Sequence, residues 1–518
     1  MRVCQTRLVS DEQPSPTAGG SHVIKVTSSS RLMAIILLVF LAARATWHCF
    51  GPIGVVGDEA YYWEWSRRLD WGYFSKPPGI AWIHSLAGAL SGQSALGMKL
   101  TATVLAVAAV WFLYQALNLI AGERVAFAGA MAALLAPGNL LLGSFLTTDS
   151  QLIFFWNLGF WMSCRIVFEK RVPAHVIWVL GLVIGTGSLF KQMMLVQIPL
   201  VWIGVFWQRR DLLGRWELIV ATLGSLIFLL PTLLWNISNE WITVEHTAHH
   251  FESSAAGLMA ALQRIGDLYG VLTVLLSPVL FFMVLAVAWK VTIRLKTQSL
   301  AIKWLWLWGV LPFLVMSLMT LRQTVNANWP AVFFGVLIAL VALIFHQRSR
   351  VWRIALVTAA AFSLAIMVLP FFMESMYETG ILKPQKRGWT GYDHLATVVD
   401  AHRTNEEIVI TAGHRHTASQ LAFHLKGQPN VWHWHTQRVI HSQYDLWPSP
   451  KLDKPCLLVV ESEKKGEAQH IANRMAPHPV FIDALPLHAK RPKTIFHIFK
   501  AERLATWPVG PIAKELHP

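Results

Sequence analysis

Long apolar runs separated by short polar stretches dominate the sequence. Leu32 to Phe50 is the first, about the length a helix needs to cross a bilayer. Further runs cover 98–120, 124–143, 150–168, 174–190, 193–207, 216–235, 268–289, 304–321, 329–345 and 353–373. Together they predict about eleven spanning helices. Residues 1–30 are polar and Ser-rich, carry Arg2, Arg7 and Lys25, and read as a disordered tail. Ala43-Arg44-Ala45 loosely imitates a signal-peptide cleavage site. The length of the apolar run and of the tail before it favours an uncleaved anchor.

Two segments depart from this pattern. In the loop at 51–97, a helix starting near Asp58 would align Tyr61, Tyr62, Trp65 and Leu69 at i+3, i+4, i+7 and i+11, with Glu64, Arg67 and Arg68 away from that stripe. The spacing predicts an amphipathic helix lying in the membrane interface. After Met373 the chain becomes mixed polar and apolar, with Pro384, Gly388 and Gly391 marking a linker, and 390–518 is the size of a small domain. Leu395, Val398 and Val399 have helical spacing. Glu407 to Thr411, Cys456 to Val460 and Val480 to Leu485 look like strands, and Ser419 to Leu425 like a helix. The expected fold class is a polytopic α-helical membrane protein with a small C-terminal α/β domain.

Composition agrees. The chain is 54% hydrophobic and 14% charged, against about a quarter charged for soluble domains. A net charge of +15 raises nucleic acid as a partner, but the cations are dispersed through short loops and the tail domain, which fits membrane lipids instead. Lys170 and Arg171, Arg209, Arg210 and Arg215, Lys290, Arg294, Lys296 and Lys303, and Arg348, Arg350 and Arg353 fall on one side if every run crosses once. The positive-inside rule puts that side and the N-terminus in the cytoplasm and loop 51–97 outside. Cys4, Cys49, Cys164 and Cys456 form no close pair, so neither a zinc site nor a disulfide framework is indicated.

The outer loops then hold few cations, and topology does not explain them: Arg67, Arg68, Lys76, Lys191, Arg264 and Arg322. Carboxylates at Asp58, Glu59 and Asp149 fall on the same side, as do Glu245, His246, His249 and His250. Each has a structural reading: Asp58 and Asp149 as helix caps, Lys76 as a cation reaching for headgroups, the histidines as a solvated loop. His414, His416, His433 and His435 in the tail domain read as surface residues, without zinc-site spacing. What points to a site is the convergence of acid, base and cation on one face. Displacing a sugar from a phosphate needs a base for the incoming hydroxyl and positive charge for the departing phosphate. Asp58 can supply the first. Lys76, helped by Arg67, Arg68, Lys191 or Arg322, can supply the second.

Five motifs carry a resemblance: 57–63 (Gly-Asp-Glu-Ala-Tyr-Tyr-Trp), 71–78 (Trp-Gly-Tyr-Phe-Ser-Lys-Pro-Pro), 147–150 (Thr-Thr-Asp-Ser), 233–236 (Leu-Leu-Trp-Asn) and 328–330 (Asn-Trp-Pro). Over roughly 31–373 the chain resembles bacterial GT-C glycosyltransferases, in the branch of the lipid A aminoarabinose transferase and protein-mannosyltransferase-like enzymes. The resemblance implies about 11–13 spanning helices and transfer of a sugar from a polyprenyl (undecaprenyl) phosphate donor to a glycolipid or glycan acceptor such as lipid A or core saccharide. It also implies inversion at the anomeric carbon, on the periplasmic face of the bacterial inner membrane. It assigns acceptor activation to Asp58, the second acidic position to Asp149, and the carrier phosphate to Lys76; Glu59, next to Asp58 in sequence, reads as a further catalytic candidate or as a support of the turn. Tyr61, Tyr62 and Asn328 go with the substrate. Val244-Glu245-His246 is similar to a loop that supplies a histidine ligand, which implies a divalent metal at His246. The partner carboxylate of that metal site precedes the loop lysine, where this chain has Ser75. A transporter or lipid flippase is the alternative reading, since a dozen spans suit both; it should carry ionisable groups at mid-membrane and pseudo-symmetric halves.

Overall fold

The computed structural model describes residues 28–249, 257–379, 381, 390–435, 440–487 and 494–507. The tail expected over 1–30 falls outside them except at its last three residues, which begin the first helix, Ser28–Phe50. Among the described residues, seven helices are long and apolar enough to cross a membrane and four shorter ones are apolar.

Two expected spans are interrupted, each at a proline. The run at 268–289 divides into Leu258–Leu276 and Pro278–Ile293. Between them Ser277 sits at φ 69°, and Pro278 brings no N–H to continue the ladder. The run at 124–143 divides into Glu123–Leu135 and Pro137–Leu142, with Ala136 extended before Pro137 as the ring requires. The helical stretch Leu300–Met319 carries one π turn at Trp306–Val310, a local widening of the helix. Trp308 in that turn is fully buried and packs with Trp156, Phe160 and Trp304 at centroid separations of 5.3–5.7 Å. Tilted and edge-to-face aromatic packing of this kind gives the bundle interior defined geometry where lipid-facing apolar surface cannot.

The tail domain is a five-stranded sheet of order β2-β1-β3-β5-β4, from β1 (Ile408–Ala412), β2 (Val431–Trp434), β3 (Cys456–Ser462), β4 (Val480–Pro486) and β5 (Ile495–Ala501). β1 pairs in parallel with β2 and β3, while β5 runs antiparallel to β3 and β4. The expected strands at 407–411, 456–460 and 480–485 are present, as is a helix across 419–425, which begins earlier (Arg415–His424). The helix Lys465–Met475 and strands β2 and β5 escaped the sequence pattern. β2 is only four residues long, and Val-Trp-His-Trp does not alternate between clearly apolar and polar positions.

The loop helix, Gly57–Ser66, does not lie in a membrane interface as its stripe predicted. Residues Glu59 to Ser66 are all buried, including Glu64, while Leu69 and Trp71 are exposed. The tail domain covers the face that lipid was expected to cover. Tyr61, Tyr62, Trp63 and Trp65 share one apolar core with Leu395, Val409, Leu421, Leu457 and Phe496 of that domain. Periodicity marks a helix face as apolar but not the partner that buries it. Arg67 and Arg68 complete the junction. Arg67 donates to the Gln428 and Pro429 carbonyls at 2.9 and 3.3 Å and to Asn430 Oδ1 at 3.2 Å. Arg68 lies over the Trp447 ring at 4.2 Å. Burial beside these cations still pushes the Glu64 carboxyl up to about 7, with Arg67 and Arg68 opposing.

Trp65 is fully buried and stacked on Tyr73 at 4.6 Å and 8°. Trp65→Ala should cost about 3–5 kcal/mol, read as a lowered thermal midpoint in detergent. Exposed Trp71→Ala should stay within about 0.5 kcal/mol of wild type. Equal midpoints for the two variants would contradict this packing.

Candidate active site

Asp58 stands in the first turn of the loop helix, where carboxylates suit the exposed N–H groups. Its side chain is 54% exposed, and Oδ1 lies 3.2 Å from Nε2 of His416 in the tail domain. The close approach requires Gly57, because a Cβ there would sit 2.4 Å from His416 Nδ1. Burial tends to raise the Asp58 carboxyl. The His416 contact and the positive charge of His416, Arg415 and Lys76 outweigh it and hold the group below the ordinary aspartate range.

Lys76 occupies a turn pinned from several sides. Tyr73 N–H donates to the Lys76 carbonyl at 3.1 Å, Phe74 N–H to Gln443 Oε1 at 2.7 Å, and Thr243 Oγ1 to the Tyr73 carbonyl at 2.9 Å. The Leu-Leu-Trp-Asn motif supports the same turn: Trp235 rests against Gly72 and donates to Asp70 Oδ2 at 2.8 Å. The backbone is thus fixed while the ammonium makes no hydrogen bond or ion pair among the described residues. Burial and the neighbouring Lys191 lower it to about 8, against the opposing pull of Asp149 and Asp58.

Asp149, near the start of the helix Thr148–Phe168, is differently committed. Its Oδ1 accepts from Lys191 Nζ at 2.8 Å and its Oδ2 from Asn328 Nδ2 at 2.7 Å. Both oxygens are therefore occupied, and three segments distant in sequence are tied together. Tyr62 feels both carboxylates: burial first, then Asp58 and Asp149, raise its hydroxyl well above the usual tyrosine range.

The remaining candidates do other work. Glu59 is fully buried. Its Oε1 accepts from Leu146 N–H at 2.8 Å, and its Oε2 from Val56 N–H at 3.2 Å and Lys99 Nζ at 3.4 Å. It is a strut from the loop helix to the strand of chain that delivers Asp149. Tyr61 accepts from Gln443 N–H at 2.6 Å and stacks on Tyr444. It faces the tail domain, as Arg67 and Arg68 do. Arg322 is exposed in the turn whose Thr320 and Leu321 carbonyls hold Arg264. His246 packs on Phe74, ring centroids 4.7 Å apart. His250 lies outside the described residues. Among the described residues no group of three or more His, Cys, Asp or Glu converges to hold a metal, and Ser75 offers no carboxylate.

Two residues of this cluster lay in what the sequence suggested was surface. Arg415 and His416 open the helix that follows β1 and reach Asp58 and Tyr61. The available signal was Ala412-Gly413-His414 ending a predicted strand ahead of a helix, the place where α/β sheets put ligand-facing side chains. His433 is also buried, with Nε2 3.0 Å from the Gly413 carbonyl.

Residues 75–235 match the dolichyl-phosphate-mannose-protein mannosyltransferase family. The lipid A galacturonosyltransferase RgtD of Rhizobium johnstonii is 28% identical over 307 residues, which are 58% of this chain and 63% of that relative's length. The crystal structures of ArnT from Cupriavidus metallidurans, apo and bound to undecaprenyl phosphate, match with TM-scores of 0.60 and 0.61 at 13% identity, over 90% of this chain and 97% of that one. The chain has the GT-C fold that its motifs led us to expect.

Glu59→Gln would leave Lys99 buried without its counter-charge, at a cost of about 3–5 kcal/mol. The double variant Glu59→Gln with Lys99→Met should regain most of that loss in detergent thermal unfolding. If the double variant is no more stable than the single, the strut is not acting through this pair.

Proposed function

We propose that this chain is an integral-membrane glycosyltransferase. It moves a sugar from a polyprenyl (undecaprenyl) phosphate donor to an envelope glycolipid of the lipid A type, by inverting displacement at the periplasmic face of a bacterial inner membrane. The observation that carries the reading is the open Asp58 carboxylate and the uncommitted Lys76 ammonium held in one cluster, on a fold shared with a protein seen bound to undecaprenyl phosphate. The similarity to a lipid A galacturonosyltransferase supports the acceptor class.

In the transfer, Asp58 accepts the proton of the acceptor hydroxyl as its oxygen bonds to the anomeric carbon. The bond from that carbon to the phosphate oxygen breaks, and its electron pair leaves with the phosphate, facing Lys76. Asp58 is a weak base because its neighbours favour the ionised form, so it takes the proton late, once the attacking oxygen has become acidic. Lysine suits the phosphate as a point charge. Asp149 holds Lys191 and Asn328 together next to these groups, with both of its oxygens occupied. The apolar bundle accommodates the isoprenoid chain. Gathering of the polar groups in loops at one end of the bundle favours transfer over the transport alternative, which needs ionisable groups along a path.

Asp58→Asn is expected to lower kcat by about 10²–10⁴-fold with an unchanged thermal midpoint. Near-normal turnover would remove Asp58 as the base. Carrier binding should also depend on pH through Lys76. Its ordinary value is depressed to about 8, so the cation is present below that pH and lost above it. Affinity for a polyprenyl-phosphate-linked sugar, whose phosphodiester stays singly charged across this range, should be flat below pH 7 and fall by up to about tenfold per unit above pH 8. Lys76→Gln should bind more weakly and show no such fall. A wild-type profile flat to pH 9.5 would detach Lys76 from the phosphate.

A further inference from the structure

A cavity of about 280 Å³ lies between the bundle and the tail domain, with the segment 51–55 along one wall. None of Asp58, Lys76, Asp149 or Arg415 lines it. Its floor is built from membrane helices, by His48 near the end of Ser28–Phe50 and Lys99 near the start of Ala95–Ala121. Its roof belongs to the tail domain: Asp393 in the first turn of the helix Tyr392–His402, with Gln420 and His424 from Arg415–His424. Two of these side chains are left incomplete by the protein. Gln420 is fully buried; its Nε2 donates to the Val55 carbonyl at 2.8 Å, and its Oε1 has no partner. His48 Nε2 lies 3.0 Å from Thr103 Oγ1, and its buried Nδ1 has none. Buried polar atoms are nearly always paired, and the space is far more than one water needs. Both observations point to a polar ligand.

Floor and roof differ in charge. Arg44, one turn before His48 on the same helix, and Lys99 both act on His48 through their charge. Lys99 is answered by Glu59 at 3.4 Å. Arg44 is buried and donates to the Leu140 carbonyl and Ser144 Oγ at 2.9 and 2.7 Å, but it forms no ion pair among the described residues. A cation inside a membrane span without a counter-ion is costly, so the floor favours an anion. The roof offers acceptors, Gln420 Oε1 and the exposed Asp393 carboxylate at the rim. His424 brings no opposing cation there, because burial lowers its imidazole below the ordinary range, with Asp393 acting against the shift. The roof therefore favours a donor, and a cationic one most. An anion beside the membrane helices and an N–H cation beyond it reproduce, in order, a phosphoethanolamine headgroup read outward from a bilayer. We propose that this cavity holds the headgroup of a phosphatidylethanolamine, its phosphate toward His48 and Lys99 and its ammonium donating to Gln420 Oε1 and Asp393. The lipid then ties the first two long helices to the tail domain, beside the bond from Gln420 to Val55 that seats the Arg415–His424 helix. Its binding does not depend on which sugar is transferred.

The test uses the full chain, stripped of lipid in detergent and titrated with phosphatidylethanolamine, phosphatidylglycerol or phosphatidylcholine of identical acyl chains. Native mass spectrometry counts the lipid retained. Wild type should hold one phosphatidylethanolamine about 10–100-fold more tightly than phosphatidylcholine, whose headgroup has the same charges but no N–H, as expected for charge-assisted hydrogen bonds. It should prefer it to phosphatidylglycerol as well, whose hydroxyls carry no positive charge. Asp393→Ala, at an exposed position, should weaken phosphatidylethanolamine about tenfold and leave phosphatidylcholine within about twofold of wild type. Equal retention of the three lipids by wild type overturns the proposal, as does phosphatidylglycerol held as tightly as phosphatidylethanolamine. An unchanged preference in Asp393→Ala overturns it too. Displacement of the bound phosphatidylethanolamine by equimolar lipid A or polyprenyl phosphate would make the cavity part of the transfer site and overturn it in the same way.

Discussion

The candidate site depends first on one buried carboxylate that takes no part in its chemistry. Glu59 accepts from Val56 and Leu146 backbone N–H groups and from Lys99, so it joins the start of the loop helix to the second long helix, Ala95–Ala121, and to the chain before Asp149. In a fully buried position such a group is tolerated only when its lone pairs are filled, and here they are filled by three segments that must be in place together. His84 reinforces the same junction with Nε2 2.7 Å from the Leu146 carbonyl. Placing Asp149 opposite Asp58 follows from this junction.

Adjacent residues of one motif thereby acquire opposite environments. Asp58 opens toward solvent beside His416, whereas Glu59, about 100° further round the helix, is sealed inside. The same division separates Lys76 from Arg67 and Arg68. The lysine is held by its backbone with a free head group. The arginines have theirs bound to carbonyls and an indole of the tail domain. A charged residue near a site is available for a ligand only when the fold has not already satisfied it.

The tail domain has two physical roles in this arrangement. It replaces lipid as the apolar partner of the loop helix, so that Tyr61, Trp63 and Trp65 are core residues. It also closes the cluster with Arg415 and His416 from the crevice end of its parallel strands. Both follow from a single packing event, since the Arg415–His424 helix lies along the segment 54–58: Gln420 Nε2 donates to the Val55 carbonyl at 2.8 Å, and a Cβ on Gly54 would stand 3.9 Å from His424 Cε1.

Much of this protein was legible in the sequence by itself. Hydrophobic length located the spanning helices because bilayer thickness sets a length that local composition must meet. Prolines at 137 and 278 carried the breaks in plain view. Asp58, Lys76, Asp149 and Lys191 stood out as ionisable groups in the loops of a chain with few charges, and the structure gathers them. Tertiary structure alone decided what each one touches. Whether an apolar stripe meets lipid or protein, whether Glu59 is a strut, and whether His416 and Arg415 face solvent or the loop helix all depend on contacts between residues 40 to 382 positions apart. Periodicity and spacing report the faces of single elements. They hold no record of which faces meet.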